Sequence, residues 1–222
     1  MFSIYLPGIR ADLERRTDDT YKVMHLELDN SFNNPSETGV KPGFYECESS
    51  KNATKATYRE TELIKTEDNR IVVICGSEFR DPEAAAEAVA DQLEDIADRR
   101  AKTYGKFDIY FAPQASAPEG MRRFKVENNT QAAVHSSVLT NAMSVARKNN
   151  AVFWASLNDG SAILTQSIST LHRRQRSFKK ANHDVTFIKP TTDPRAAINH
   201  AKKIGLNVHA TKSIQAVALM YE

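Results

Sequence analysis

Over the first 70 residues, short alternating runs of hydrophobic and polar positions are separated by turn residues. Phe2-Ser-Ile-Tyr-Leu and Tyr21-Lys-Val-Met-His-Leu-Glu-Leu predict strands, the second with Val23, His25 and Glu27 on one face and Met24, Leu26 and Leu28 on the other. Between them Arg15-Arg-Thr-Asp-Asp-Thr reads as a turn, so this part is expected to form a β-hairpin or small sheet. Asn30 through Gly39, continuing to Pro42-Gly43, reads as a long polar loop of the kind that is functional or mobile.

After Arg70 the pattern changes to apolar runs alternating with helical periods. Ile71-Val-Val-Ile-Cys is a strand, and Asp81-Pro82-Glu83 starts a helix, because Asp caps free amides and Pro suits the first helical position. Ala86, Val89, Leu93 and Ile96 fall on one face of that helix. Phe107 to Ala112 is a strand, and a helix from about Gln131 to Lys148 carries Val134, Val138 and Val145 on its inner stripe. Ala151 to Ser156 is a strand, followed by a helix from about Ser161 that buries Leu164, Ile168, Leu171 and Phe178. Val185 to Lys189 is a strand, and Asp193-Pro194 repeats the capped start for a helix ending at Gly205. Leu206 to Ala210 predicts a strand, and Ile214 to Met220 a strand or a short helix. Strands that alternate with helices specify an α/β architecture. The expectation is a Rossmann-like, mostly parallel sheet with helices on both faces over residues 71–222, preceded by a small β-rich N-terminal element over residues 1–70.

The chain has 222 residues, 41% hydrophobic and 26% charged, with 8 Gly and 8 Pro, which excludes collagen-like, low-complexity and wholly disordered classes. Two cysteines, Cys47 and Cys75, are too few for a disulfide scaffold, and Cys75 sits in an apolar run as a small hydrophobe. No apolar stretch approaches membrane-spanning length and the N-terminus has no leader pattern, so a cytoplasmic protein is expected.

Charge is unevenly placed. Residues 1–110 hold 15 Lys+Arg and 22 Asp+Glu, a net −7, whereas residues 111–222 hold 15 and 6, a net +9, and together they make the overall +2. A basic face usually meets phosphate, in nucleic acid or in a nucleotide; alternatively it meets the acidic half of the same chain or of a neighbour.

In open α/β sheets ligands bind outside the carboxyl ends of the strands. That rule selects Gly76, Ser77 and Glu78 after one strand, Asn158, Asp159, Gly160 and Ser161 after another, and Thr191 and Thr192 after a third. Glycine lets backbone approach a phosphate, and serine adds a hydroxyl donor or caps the helix. The run from Val73 to Pro82, Val-Ile-Cys-Gly-Ser-Glu-Phe-Arg-Asp-Pro, resembles the first strand and turn of the Rossmann-like superfamily containing the Lonely-Guy and DNA-processing proteins. The resemblance spans ten residues, lacks that group's second glycine-rich signature, and assigns no functional residue. Asp81 and Asp193 each precede a proline at a helix start, which capping explains, so Glu78 and Asp159 remain as a carboxylate pair for acid–base chemistry or Mg²⁺. Gly-x-Gly-x-x-Gly, Walker, nucleophile-elbow, His-Glu-x-x-His and Cys-x-x-Cys patterns are all missing from the sequence, and the histidines lack metal spacing. His135 and His200 fall within helical patterns and read as satisfied structural residues.

Leu171-His-Arg-Arg-Gln-Arg-Ser-Phe-Lys-Lys concentrates Arg173, Arg174, Arg176, Lys179 and Lys180 in one segment, and on a continuing helix Arg173, Arg176 and Lys180 share a face. Arg122, Arg123, Phe124 and Lys125 form a second basic stretch in which an aromatic could stack on bases; Trp154 and Phe178 are conceivable platforms too, but each lies on an apolar pattern and reads first as core. The leading expectation is therefore a nucleic-acid-binding protein that contacts backbone phosphates, single-stranded ones included, through these nine residues. The alternative is a nucleotide-binding or nucleotide-processing enzyme at the strand ends, with Mg²⁺ as the one cofactor that reading would accept. A third is an assembly protein whose acidic half docks on the basic half of another copy.

Overall fold

A computed structural model describes residues 2–6, 8–17, 20–29, 41–50, 53–59, 70–76, 78–92, 106–112, 128–148 and 151–209. The strands are β1 (Phe2–Leu6), β2 (Gly8–Arg15), β3 (Tyr21–Asp29), β4 (Gly43–Ser50), β5 (Ala53–Tyr58), β6 (Arg70–Cys75), β7 (Lys106–Phe111), β8 (Ala151–Leu157), β9 (Asn182–Ile188) and β10 (Asn207–Val208). The helices are α1 (Pro82–Ala90), α2 (Asn128–Ala146), α3 (Gly160–Arg173) and α4 (Arg195–Ile204).

The main sheet has the order β10-β9-β8-β6-β7-β4-β5. β7, β6, β8, β9 and β10 run parallel, and β4 and β5 extend the β7 edge antiparallel. Numbered by chain order, the parallel strands read 2-1-3-4-5, a doubly wound order whose direction reverses between β6 and β8. The α/β architecture is therefore as expected. The sheet also takes in residues 43–58, which sequence grouped with the N-terminal element. Their alternation suits an edge hairpin: Tyr45 and Cys47 pack on one face of the sheet and Phe44 on the other.

β1, β2 and β3 make a separate antiparallel sheet, β2 being a strand that Pro7-Gly8 had hidden from the sequence reading. Its register shifts between Asp12 and Leu13, so that Val23 pairs with Leu13 and His25 with Asp12. Val23, Met24 and Leu26 are all exposed, so the two-faced pattern expected for β3 does not correspond to a buried face and an open one. The loop over residues 30–40 and the segment 214–220 lie outside the described residues.

The core has two layers. On one face Val72, Ile74, Trp154, Val185 and Phe187 pack beneath α2, α3 and α4; on the other Val73, Cys75, Ile109 and Phe111 pack beneath α1. Asp81 caps α1 as expected, its Oδ1 accepting from Ala84 N at 2.8 Å, while Leu93 and Ile96 lie outside the described residues. Asp193 differs. It accepts from the Arg195 backbone N at 3.0 Å and grips the Arg195 guanidinium, and α4 starts at Arg195 without a side-chain cap.

Two helical expectations are corrected. Leu139, Ala142, Met143 and Ala146 form the buried stripe of α2, with Val145 40% exposed and Val138 partly buried. Small residues let the helix sit close, and Val145 is offset by about 100° from that stripe. The helix beginning at Gly160 stops at Arg173, so the shared face of Arg173, Arg176 and Lys180 does not form. Gln175 takes a left-handed φ of 53°, Gln175 N bonds to His172 O at 2.9 Å, and Arg176 N bonds to Leu171 O at 3.0 Å. That is a Schellman stop with glutamine in the usual glycine position.

Among the described residues a buried ionic cluster joins three strands. Arg70 on β6 donates to Asp108 on β7 through Nε at 2.6 Å and Nη2 at 2.9 Å, and to Glu46 on β4 at 3.1 Å. Arg59 adds a contact to Asp108 at 3.1 Å. Burial pulls the Arg70 pKa down, but Asp108 and Glu46 override it and hold the guanidinium charged. No helix among the described residues is long and apolar enough to cross a membrane.

Candidate functional site at the strand ends

The reversal between β6 and β8 places the loops that leave these two strands side by side at the carboxyl edge of the sheet. Gly76 follows β6 with no room for a side chain. A β-carbon there would stand 2.5 Å from Asp159 Cβ and 2.7 Å from Glu78 Oε2. Gly160 begins α3 directly against β6, where a β-carbon would collide with the Ile74 carbonyl oxygen. Its missing side chain thus serves helix-to-strand packing, and Ser77 lies outside the described residues.

Glu78 is exposed as a residue, yet its carboxylate folds back over Gly76 toward the β8 loop. Partial burial, the largest influence, pushes its pKa up to about 7, and the Asp159 charge acts in the same direction. Hydrogen bonds from its own backbone, the Gly76 backbone and the Asn158 side chain oppose that rise without cancelling it.

Asp159 does not cap α3 with its side chain. Its Oδ1 instead accepts from Thr191 Oγ1 at 2.9 Å, which fixes the carboxylate toward the β9 loop. Ser161, expected as a capping or ligand hydroxyl, is fully buried inside α3, where its Oγ accepts from the backbone N of Thr191 at 3.1 Å and of Thr192 at 3.2 Å. Those two amides are consequently engaged in holding the β9 loop to α3. Asn158 and Lys189, which follow β8 and β9, both adopt left-handed φ angles, 47° and 45°. Asparagine takes this conformation readily and lysine does not, so strain at Lys189 is held by the surrounding contacts.

The structure therefore brings Gly76, Glu78, Asn158, Asp159 and Thr191 together, and assigns Gly160, Ser161 and Thr192 to the scaffold beneath them. The Thr191 hydroxyl bond had no sequence signal, because it crosses 32 positions. The basic residues are elsewhere. Arg173, the last residue of α3, and Arg174, Arg176, Lys179 and Lys180 beyond it are exposed at the opposite edge of the sheet, and Arg122, Arg123, Phe124 and Lys125 lie outside the described residues. Trp154 and Phe178 are fully buried and offer no stacking platform.

His135 is buried on α2, with Nδ1 2.8 Å from Tyr110 Oη, and burial pushes its pKa down to about 4. Cys47 and Cys75 are free and buried. Among the described residues no group of three or more His, Cys, Asp or Glu is arranged to hold a metal ion. Compared with known proteins, the sequence matches no protein-family model, and no curated protein shows significant similarity to it.

Proposed function

We propose that this chain is an enzyme that binds and processes a nucleotide or a similar phosphate-containing small molecule at the loops that follow β6 and β8. The observation that carries this reading is the Glu78 carboxylate, folded over Gly76 beside Asn158 and Asp159, where partial burial raises its pKa to about 7. A carboxyl group that exchanges its proton close to the working pH serves as general acid in one step and general base in the next. Asp159, oriented by Thr191, is the second carboxylate, suited to accept from a sugar hydroxyl or to orient an attacking water. The reversal of strand order, beside which these loops lie, is where doubly wound sheets bind nucleotides. Mg²⁺ arriving with substrate phosphates would find Glu78 and Asp159 as its carboxylate ligands, since this ion keeps several waters and needs one or two protein carboxylates.

The test is a melting scan at pH 7 against common mono- and dinucleotides, with and without Mg²⁺, on the wild type, Glu78→Gln and Asp159→Asn. At least one nucleotide should raise the wild-type melting temperature saturably. Asp159→Asn should lose that rise, while Glu78→Gln should keep it and, in a parallel assay of consumption of the nucleotide so identified, lose turnover. A wild type indifferent to every nucleotide would overturn the proposal.

A further inference from the structure

At the opposite edge of the sheet, where β9 begins, the end of α3 and the end of α4 meet. Phe178 N donates to Ile204 O, a β-carbon on Gly205 would meet Lys179 at 2.7 Å, and the rings of His172 and His200 stack at 4.3 Å with 8° between their planes. These contacts merge two basic segments that sequence kept apart. Arg173, Arg174, Arg176, Lys179 and Lys180 of the first are joined by Lys202 and Lys203 of the second, and all seven are exposed.

Between Gly160 and His209 the acidic residues are Asp184 and Asp193. Asp184 pairs with His209 at 3.0 Å, and Asp193 pairs with Arg195 at 2.7 Å. No carboxylate among the described residues lies within ion-pair distance of the seven cations. The helix dipoles favour positive charge at their C-terminal ends, and one or two cations per helix would satisfy them. Seven exposed cations on one edge, with no carboxylate among the described residues in ion-pair range, exceed that need.

We infer that this edge binds the phosphate backbone of duplex nucleic acid without reading sequence. Duplex is favoured over a single strand because Phe178, the one Phe, Tyr or Trp in these segments, is fully buried and the His172 and His200 rings are stacked on each other, so unstacked bases have no free ring of that kind to lie on. It is favoured over an anionic membrane because none of the exposed large hydrophobic side chains falls in this segment. Fixed phosphate spacing along a duplex suits cations held on two adjoining helix ends, and affinity should fall steeply with salt.

The surface is independent of the strand-end loops. Fluorescence anisotropy with a labelled duplex of roughly 25 base pairs, its single strand, and anionic vesicles separates the outcomes, with roughly 25 chosen to exceed two helical turns. The proteins are the wild type and a variant carrying Arg173→Gln, Arg174→Gln, Lys180→Gln and Lys202→Gln, all solvent-facing changes checked by melting temperature. The wild type should bind duplex at low salt, and the variant should lose at least tenfold in affinity with a salt slope shallower by about 3 to 4. No duplex binding, an unchanged variant, or tighter binding to single strand or vesicles would overturn the inference. So would a salt-sensitive dimer that excludes duplex, which would assign the edge to the acidic half of a neighbouring copy. Glu78→Gln should bind duplex like the wild type, so failure of the strand-end proposal leaves this result readable.

Discussion

Thr191 Oγ1 donates to Asp159 Oδ1 at 2.9 Å across the gap between the β9 and β8 loops, and this bond sets the direction of the carboxylate. Thr191 is exposed, so removing its hydroxyl disturbs little packing. Thr191→Val should change stability by no more than about 0.5 kcal/mol while weakening the nucleotide-induced rise in melting temperature. Thr191→Ser should restore that rise. A valine variant with an unchanged nucleotide response would remove Thr191 from the site.

Gly160 is a packing residue. A methyl group at this position meets the Ile74 carbonyl, so Gly160→Ala must push α3 away from β6. We expect a loss of about 1–3 kcal/mol, by the ordinary penalty for overpacking, seen as a lower denaturant midpoint with an unchanged slope. A fully stable alanine variant would show that helix and strand are not in this contact.

Arg70 and Asp108 are buried partners whose separate loss differs from their joint loss. Arg70→Met leaves the Asp108 carboxylate with Arg59 alone and should destabilise by about 3 kcal/mol, within the range for breaking a buried pair. Arg70→Met combined with Asp108→Leu should recover much of that loss, because neither charge is then stranded. Additive losses in the double variant would mean that the two side chains do not act as a pair.

His135 contributes pH dependence of known sign. Its folded pKa, about 4, lies below the ordinary histidine value of 6.5, so between these limits the unfolded chain binds a proton that the folded chain does not. Stability should therefore fall as pH drops from 6.5 towards 4, by roughly 3 kcal/mol in total from this group. Replacing His135 with Gln should flatten the stability curve in that window, measured by urea unfolding at several pH values. Parallel curves for the two proteins would contradict it.

These residues also show which parts of the molecule sequence could display. Asp81-Pro82 announced a capped helix because the signal is local, and the cap forms as expected. The apolar strands Ile71 to Cys75 and Ala151 to Ser156 were legible for the same reason, since each is buried on both faces. Glu78 and Asp159 stood out only through their position after strands, whereas their shared environment depends on strand order, which no local pattern encodes. The end of α3 carries no sequence signal, because Gln175 adopts the left-handed conformation that glycine usually signals. Thr191 with Asp159, and Arg70 with Asp108, are pairs 32 and 38 positions apart that only the folded sheet brings together.

The central claim is that Glu78 is an acid that titrates near neutrality, and carbon-detected nuclear magnetic resonance of its carboxyl group tests this directly. A midpoint near pH 7 is predicted, against an ordinary glutamate value of 4.5. Because the folded value is raised, the folded chain binds the extra proton between these limits, and stability should fall as pH rises from about 4.5 to about 7. Glu78→Gln should remove that fall. A Glu78 midpoint near 4.5 in the folded wild type would contradict the acid–base role assigned to it.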